Sequence, residues 1–236
     1  MKTSPFRTLL ALSLGIGLAG AACGQTLFSD SFETGASASN LNDKRMSDGV
    51  TTYAATYSNG IFKTREPADR NLGLGNYVGQ IFVNGDDRST YVAVSKNLDG
   101  VANYTFDIGY LLYAGGGKFG INARSNGESI NGGFLISWNG RSATLFYVDL
   151  KGATTALGTV TATPSEKASS FFLRDVRVTV TGNTQQISVG GVPIGSAVPT
   201  QGTVRDGRPD QVRFYGLTTT SALDIQLDDI AADVIR

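Results

Sequence analysis

Glycine-bearing polar turns punctuate this chain: SNG at 58–60, NGDD at 84–87, LDG at 98–100, AGGG at 114–117, WNG at 138–140, TGN at 181–183 and VGG at 189–191. Between them lie short runs in which apolar and polar residues alternate. Strands bounded in this way close into a sandwich or a barrel rather than into βαβ units. The clearest runs are 77–83, 89–95, 104–113, 118–124, 132–138, 143–150, 174–180, 185–191, 210–217 and 223–230. In RDVRVTV, Val176, Val178 and Val180 share one face while Asp175, Arg177 and Thr179 share the other, as in a half-buried strand. No segment keeps a 3.6-residue period for three turns. The one candidate helical turn is PSEKASSFF (164–172), with Ser165 as its cap. No internal repeat, linker or second domain is visible.

The first residues, MKTSPFRTLLALSLGIGLAGAACGQ, read as an export signal over 1–22. Lys2 and Arg7 form its positive start, Leu9 to Leu18 its short apolar stretch, and Ala21 or Ala22 its cleavage point. A lipoprotein signal with Cys23 as the lipidated residue is the competing reading, although Gly20-Ala21-Ala22 lacks the usual Leu. No other run is apolar enough to span a bilayer. The expected location is therefore exported: periplasmic, extracellular or at the cell surface. Residues 26–236 then form one β-sandwich domain, roughly 210 residues long and able to bury a core.

Charge and composition remove whole classes of function. The chain has 20 basic and 20 acidic residues, and the acidic ones all follow the signal. No basic stripe appears, so nucleic acid is not an expected partner. The chain has no His, and Cys23 is its one Cys. A Ser-His-Asp triad, a Cys-His dyad and zinc sites built on imidazole or thiolate are excluded. A metal would need oxygen ligands, which points to Ca2+.

The stretch FFLRDVRVTVTGNTQQISVGGVPIG (171–195) resembles the late strands of laminin-G-like and concanavalin A-like lectin/glucanase domains. DQVRFYGL (210–217) and LDIQLDDI (223–230) resemble the closing strands of that fold, and TLFSDSFETG (26–35) its opening strand. The resemblance implies an all-β, two-sheet antiparallel β-sandwich, a jelly roll, with first and last strands side by side. Galactose-binding-type modules also carry an opening FExG and a closing DDI, but are usually shorter.

Near the C-terminus, LDIQLDDIAADVIR places Leu223, Ile225 and Leu227 on one face, with Ile230 and Val234 on the opposite parity. One extra residue at Asp228-Asp229 would restore both sets to the core, which predicts a β-bulge. If first and last strands are neighbours, Asp30 and Glu33 come near Asp228 and Asp229. The resemblance to the FExG…DDI modules makes these four the expected ligands of a structural Ca2+. The alternative is a set of solvated acids blunting an edge strand.

No catalytic pair is expected. The glucanases of the family carry E-x-D-x-E, and the four Glu here, Glu33, Glu66, Glu128 and Glu166, do not form it. A sugar site needs a polar sheet face with a ring on which a pyranose stacks. Strand parity points Asp107, Asn122, Arg124, Arg213 and Tyr215 outward, and if their strands share one sheet they form such a patch. Trp138, in phase with Phe134 and Ile136, is expected in the core. The expectation is a secreted, non-enzymatic protein binding a polysaccharide or glycan. A structural or adhesive extracellular protein and a polysaccharide-cleaving enzyme are the alternatives.

Overall fold

The computed structural model describes residues 24–33, 39–57, 60–68, 70–72, 74–85, 89–125, 129–165, 170–200, 210–218 and 222–236. The expected signal, Cys23 and residues 166–169 of the expected helical turn lie outside them. Pro164 and Ser170 to Phe172, at the ends of that turn, are in strands.

In chain order the strands are β1 (Thr26–Asp30), β2 (Tyr53–Tyr57), β3 (Gly60–Arg65), β4 (Val78–Val83), β5 (Ser89–Val94), β6 (Asn103–Gly115), β7 (Lys118–Ser125), β8 (Gly133–Asn139) and β9 (Ser142–Val148). They continue as β10 (Thr154–Thr161), β11 (Thr163–Pro164), β12 (Ser170–Thr181), β13 (Thr184–Val189), β14 (Val192–Pro193), β15 (Val198–Pro199), β16 (Gln211–Leu217) and β17 (Leu223–Val234). Among the described residues one 3-10 turn, Arg70–Leu72, interrupts them. The chain forms two antiparallel sheets packed face to face. Sheet A runs β14-β13-β12-β6-β17-β4-β3, with β1 beside β17, and sheet B runs β10-β9-β8-β7-β16-β5-β2.

Alternation supplies the core. Tyr104, Phe106 and Ile108 of β6 meet Phe119 and Ile121 of β7 and Phe214 of β16, all fully buried. Each such side chain contributes on the order of 2–3 kcal/mol by leaving water. Trp138 stacks flat on Tyr113, with ring centroids 4.3 Å apart. With no disulfide available among the described residues, packing of this kind holds the sheets together.

The phase slip at Asp228-Asp229 is real, but no residue is inserted to make it. Strand β17 keeps one register along β6, with Leu227 opposite Leu111 and Ile230 opposite Ile108. The expected bulge is therefore replaced by another device. All three central strands of sheet A skip two residues at the same level: Leu227 to Ile230 in β17, Ile108 to Leu111 in β6, and Leu173 to Val176 in β12. The level between holds Asp175, Gly109 and Asp229 side by side. Asp175 has φ 51° and Asp229 φ 50°, the left-handed region that Asp tolerates better than most residues. Gly109 sits between them because a Cβ there would come within 2.9 Å of the Asp229 Cβ. A left-handed residue reverses the pleat. Because the reversal falls on one level of adjacent strands, the ladder stays continuous and the apolar residues of both halves still face sheet B.

The reversal divides the outer face of sheet A. On one half Tyr110, Leu112 and Phe172 point outward and are covered by the segment carrying Ala68, Leu72 and Leu74, forming a small second core. Polar groups tie the cover down: Gln226 accepts a hydrogen bond from the Ala68 amide at 2.9 Å, and Asp224 pairs with Arg65 at 3.0 Å. Among the described residues the other half carries no such cover.

Candidate functional site

The open half of sheet A forms a groove of about 670 Å³. Its floor is polar because β6, β12 and β13 alternate there with their apolar residues inward. Asp107 projects from β6, Arg177 and Thr179 from β12, and Gln186 and Ser188 from β13. Asp175 and Asp229, from the level of the reversal, close one end, and the Gly190-Gly191 turn closes a side. That turn is anchored to the kink, since the Gly190 amide reaches the carbonyls of Arg174 and Asp175, each at 3.2 Å.

Arg177 donates Nε to Asp107 at 2.5 Å, and this hydrogen bond is the leading reason its guanidinium pKa is raised. The Arg177 side chain is 54% exposed, so the pair adds little to stability. Its effect is to hold a donor fork and an acceptor in fixed positions on the groove floor. The groove offers carboxylates, a guanidinium, an amide and hydroxyls in one surface, with acids in excess. That set matches a ligand that presents many hydroxyls. Alternation in RDVRVTV already placed Asp175, Arg177 and Thr179 together. Their meeting with Asp107 depends on the β12–β6 register, which no local signal carries.

First and last strands are neighbours, as the resemblance implied. Strand β1 pairs with the second half of β17, placing Asp30 opposite Ile230, while β4 pairs with the first half, placing Gly79 opposite Leu227. The four acids meet at this seam in separate roles. Buried Asp30 accepts hydrogen bonds from the Phe32 amide at 2.9 Å, the Ser47 hydroxyl at 2.9 Å and the Tyr53 hydroxyl at 2.7 Å. Burial, and then the charge of Asp30, push the Tyr53 phenol well up. Glu33 accepts from the Tyr77 amide at 3.0 Å and Asn76 Nδ2 at 3.2 Å, clamping the chain beside Gly75.

Asp228 is 4% exposed, and one of its carboxyl oxygens has no hydrogen-bond partner. Burial first, then the charges of Asp229, Glu33 and Asp30, push its carboxyl up to about 7. Asp229, exposed, faces the groove instead. The doubled aspartate is thus split, one residue buried and the other in the open. Among the described residues no three acids converge as metal ligands would. Asp30 and Glu33 direct their carboxylates to protein donors in this arrangement.

The five expected sugar-binding residues do not form one patch. Asp107 lies in sheet A, whereas Asn122 and Arg124 on β7 and Arg213 and Tyr215 on β16 lie in sheet B. Asn122 and Tyr215 alternate with core residues as parity requires, yet both are fully buried. The segment around Ser129 to Asn131 lies over them: Tyr215 donates its hydroxyl to the Ser129 carbonyl at 2.7 Å, and Asn122 Nδ2 donates to the Asn131 carbonyl at 2.9 Å. Tyr91 packs edge-on against Tyr215, with centroids 5.2 Å apart. Arg213 is half-buried and donates to Gln211 at 3.1 Å. Arg124 is 7% exposed and turns to the end of the sandwich. A bulge causes this: Gln211 pairs with Ser125 but Arg213 with Asn122, so Ala123 and Arg124 share one place opposite Val212.

No protein-family model matches the chain, and no curated protein matches it. Among solved structures, the carbohydrate esterase vb_24B_21 from Shiga toxin-encoding bacteriophage phi24B is similar with a TM-score of 0.55 and 14% identity, over 90% of this chain and 100% of that one. The binding domain of botulinum neurotoxin DC matches with a TM-score of 0.45 and 12% identity over 87% of this chain, which spans about half (49%) of that one. The carbohydrate recognition domain of Emp46p matches with a TM-score of 0.42 and 9% identity, over 77% of this chain and 88% of that one. At such identities the likeness to the phage protein speaks for the fold alone, and it agrees with the two-sheet sandwich described above.

Proposed function

We propose that this chain is an exported, non-enzymatic β-sandwich of the concanavalin A-like type that binds carbohydrate at or outside the cell surface through the open half of sheet A. The groove carries the reading. Its polar floor comes from adjacent strands of one rigid sheet, so donors and acceptors are held in place before a ligand arrives, which lowers the cost of ordering them. The signal-like leader supports export. The phage protein of like fold is described as a carbohydrate esterase, which favours carbohydrate as the ligand class by analogy.

Esterase chemistry does not carry over with the ligand. The chain has no His, so a Ser-His-Asp triad lacks its base. Asp175 and Asp229 stand on either side of Gly109, two strand spacings apart, or about 9.6 Å. That backbone spacing is wider than the roughly 5–5.5 Å between the carboxyls of a retaining glycosidase and lies at the upper edge of the roughly 6.5–9.5 Å of an inverting one. One observation favours the adhesive alternative: no aromatic ring lines the described groove, so a pyranose face finds no platform there.

A glycan array probed with the full chain and with Arg177→Ala decides between these. Binding of a glycan by the wild type, at least tenfold weaker in Arg177→Ala at unchanged melting temperature, is expected. A wild type that binds no glycan would end the carbohydrate reading and leave the adhesive one.

A further inference from the structure

A second recess, of about 500 Å³, opens at one end of the sandwich and shares no residue with the groove. Arg124 and Asp210 lie in its wall, with Asp99, Gly100, Gly182 and Asn183 around them. Both charged side chains are more than nine-tenths buried, Arg124 at 7% exposure and Asp210 at 6%.

Arg124 is fixed on three sides. Its guanidinium lies over the Tyr104 ring, 5.6 Å from the centroid. One terminal nitrogen donates to the Gly182 carbonyl at 2.9 Å and the other to the Val101 carbonyl. The remaining donor, Nε, makes no hydrogen bond. It faces Asp210 Oδ2 at 3.6 Å, too far for one. Asp210 is also fixed, because its amide donates to Asp99 at 2.9 Å and its carbonyl accepts from the Leu98 amide at 2.9 Å. Burial raises the Asp210 pKa. Arg124 Nε thus pairs with Asp210 only as an ion, at 3.6 Å, and lacks a hydrogen bond; leaving a buried donor unmade costs about 1–3 kcal/mol.

The chemistry of the gap selects its occupant. A hydroxyl oxygen accepts from Arg124 Nε while its own hydrogen goes to Asp210, so one hydroxyl satisfies both. A carboxylate ligand would meet Asp210 and Asp99, and an ammonium would meet Arg124. Gly100, at φ 79°, and Gly182, at φ 55°, leave the wall open, since an added Cβ at either meets nothing within 4 Å. We propose that this recess is a second binding site, for a neutral polyhydroxylated ligand such as a terminal sugar residue, held by hydroxyls between Arg124 and Asp210.

The test is saturation-transfer NMR on the full chain with the methyl glycosides of glucose, galactose and mannose, and with glucuronate and glucosamine as charged probes. Two variants address the recess: Asp210→Asn, and Gly100→Asn, which accepts the left-handed backbone and fills the mouth without touching the Arg124 anchor. Arg177→Ala is the control for the groove. At least one neutral glycoside is expected to bind, at least tenfold more weakly in both recess variants and within twofold of wild type in Arg177→Ala, with the charged probes silent. Binding lost in Arg177→Ala but kept in both recess variants would place the sugar in the groove and overturn this inference alone. So would array binding without any neutral glycoside binding here. Silence in the array as well would remove both readings.

Discussion

The two halves of β6 belong to one strand of one sheet, yet their outer faces have opposite fates. From Tyr110 to Leu112 the outward side chains are apolar and lie under the Ala68–Leu74 cover. From Thr105 to Asp107 they are polar, and Asp107 opens to the groove. The difference comes from one level of the sheet, where Asp175 and Asp229 take left-handed backbone beside Gly109. A sheet has two faces and only one needs to be buried here. The reversal lets the strand use its second face for stability over half its length and for recognition over the other half.

The largest effect that would break this comparison is on stability. Leu112→Ala, in the covered half, should cost about 2–3 kcal/mol in denaturant unfolding, as core truncations do. Thr179→Ala, on the open floor, should stay within about 0.5 kcal/mol of wild type. Equal costs would mean that the open half is packed after all.

Asp228 marks the boundary and gives the next effect. Its carboxyl holds a proton to about pH 7 when folded, against an ordinary value of 3.8. Its contribution to stability is therefore complete below about pH 3.8 and is lost as the pH rises through 7. Asp228→Asn should be about 2 kcal/mol more stable than wild type at pH 8 and nearly equal to it at pH 4. Calcium at pH 8 should leave both unfolding curves in place. A calcium-dependent rise in wild type that Asp228→Asn abolishes would show the acids of the seam gathering on an ion.

The smallest effect tests the reversal itself. Asp229→Val should cost about 1–2 kcal/mol, because a β-branched residue resists left-handed backbone. Asp229→Gly should match or exceed wild type in the same unfolding assay. A valine as stable as glycine would argue against the left-handed level.

Much of this was legible in the sequence. The apolar phase of RDVRVTV, the outward Asp107, the buried Trp138 and the pairing of first and last strands follow from alternation and from the resemblance. The slip at Asp228-Asp229 was also visible. Its cause was not, because LRDV, IGYL and LDDI show the same two-residue skip only when the register sets them side by side. The assignment of strands to sheets is equally non-local, so parity alone cannot tell that Asp107 and Asn122 lie in different sheets. Parity gives Asn122 and Tyr215 their direction, but the segment that covers them follows β7, close in sequence to Asn122 and far from Tyr215. Nothing in KFGINARS signals the bulge that swings Arg124 to the end of the sandwich.

The central claim is that the open half of sheet A is the ligand face. The direct measurement is hydrogen–deuterium exchange of the full chain, with and without a saturating oligosaccharide found by the array. The account predicts protection in 103–109, 175–181 and 184–191. Protection confined to 129–131 and 211–217 on sheet B, with sheet A unchanged, would contradict it.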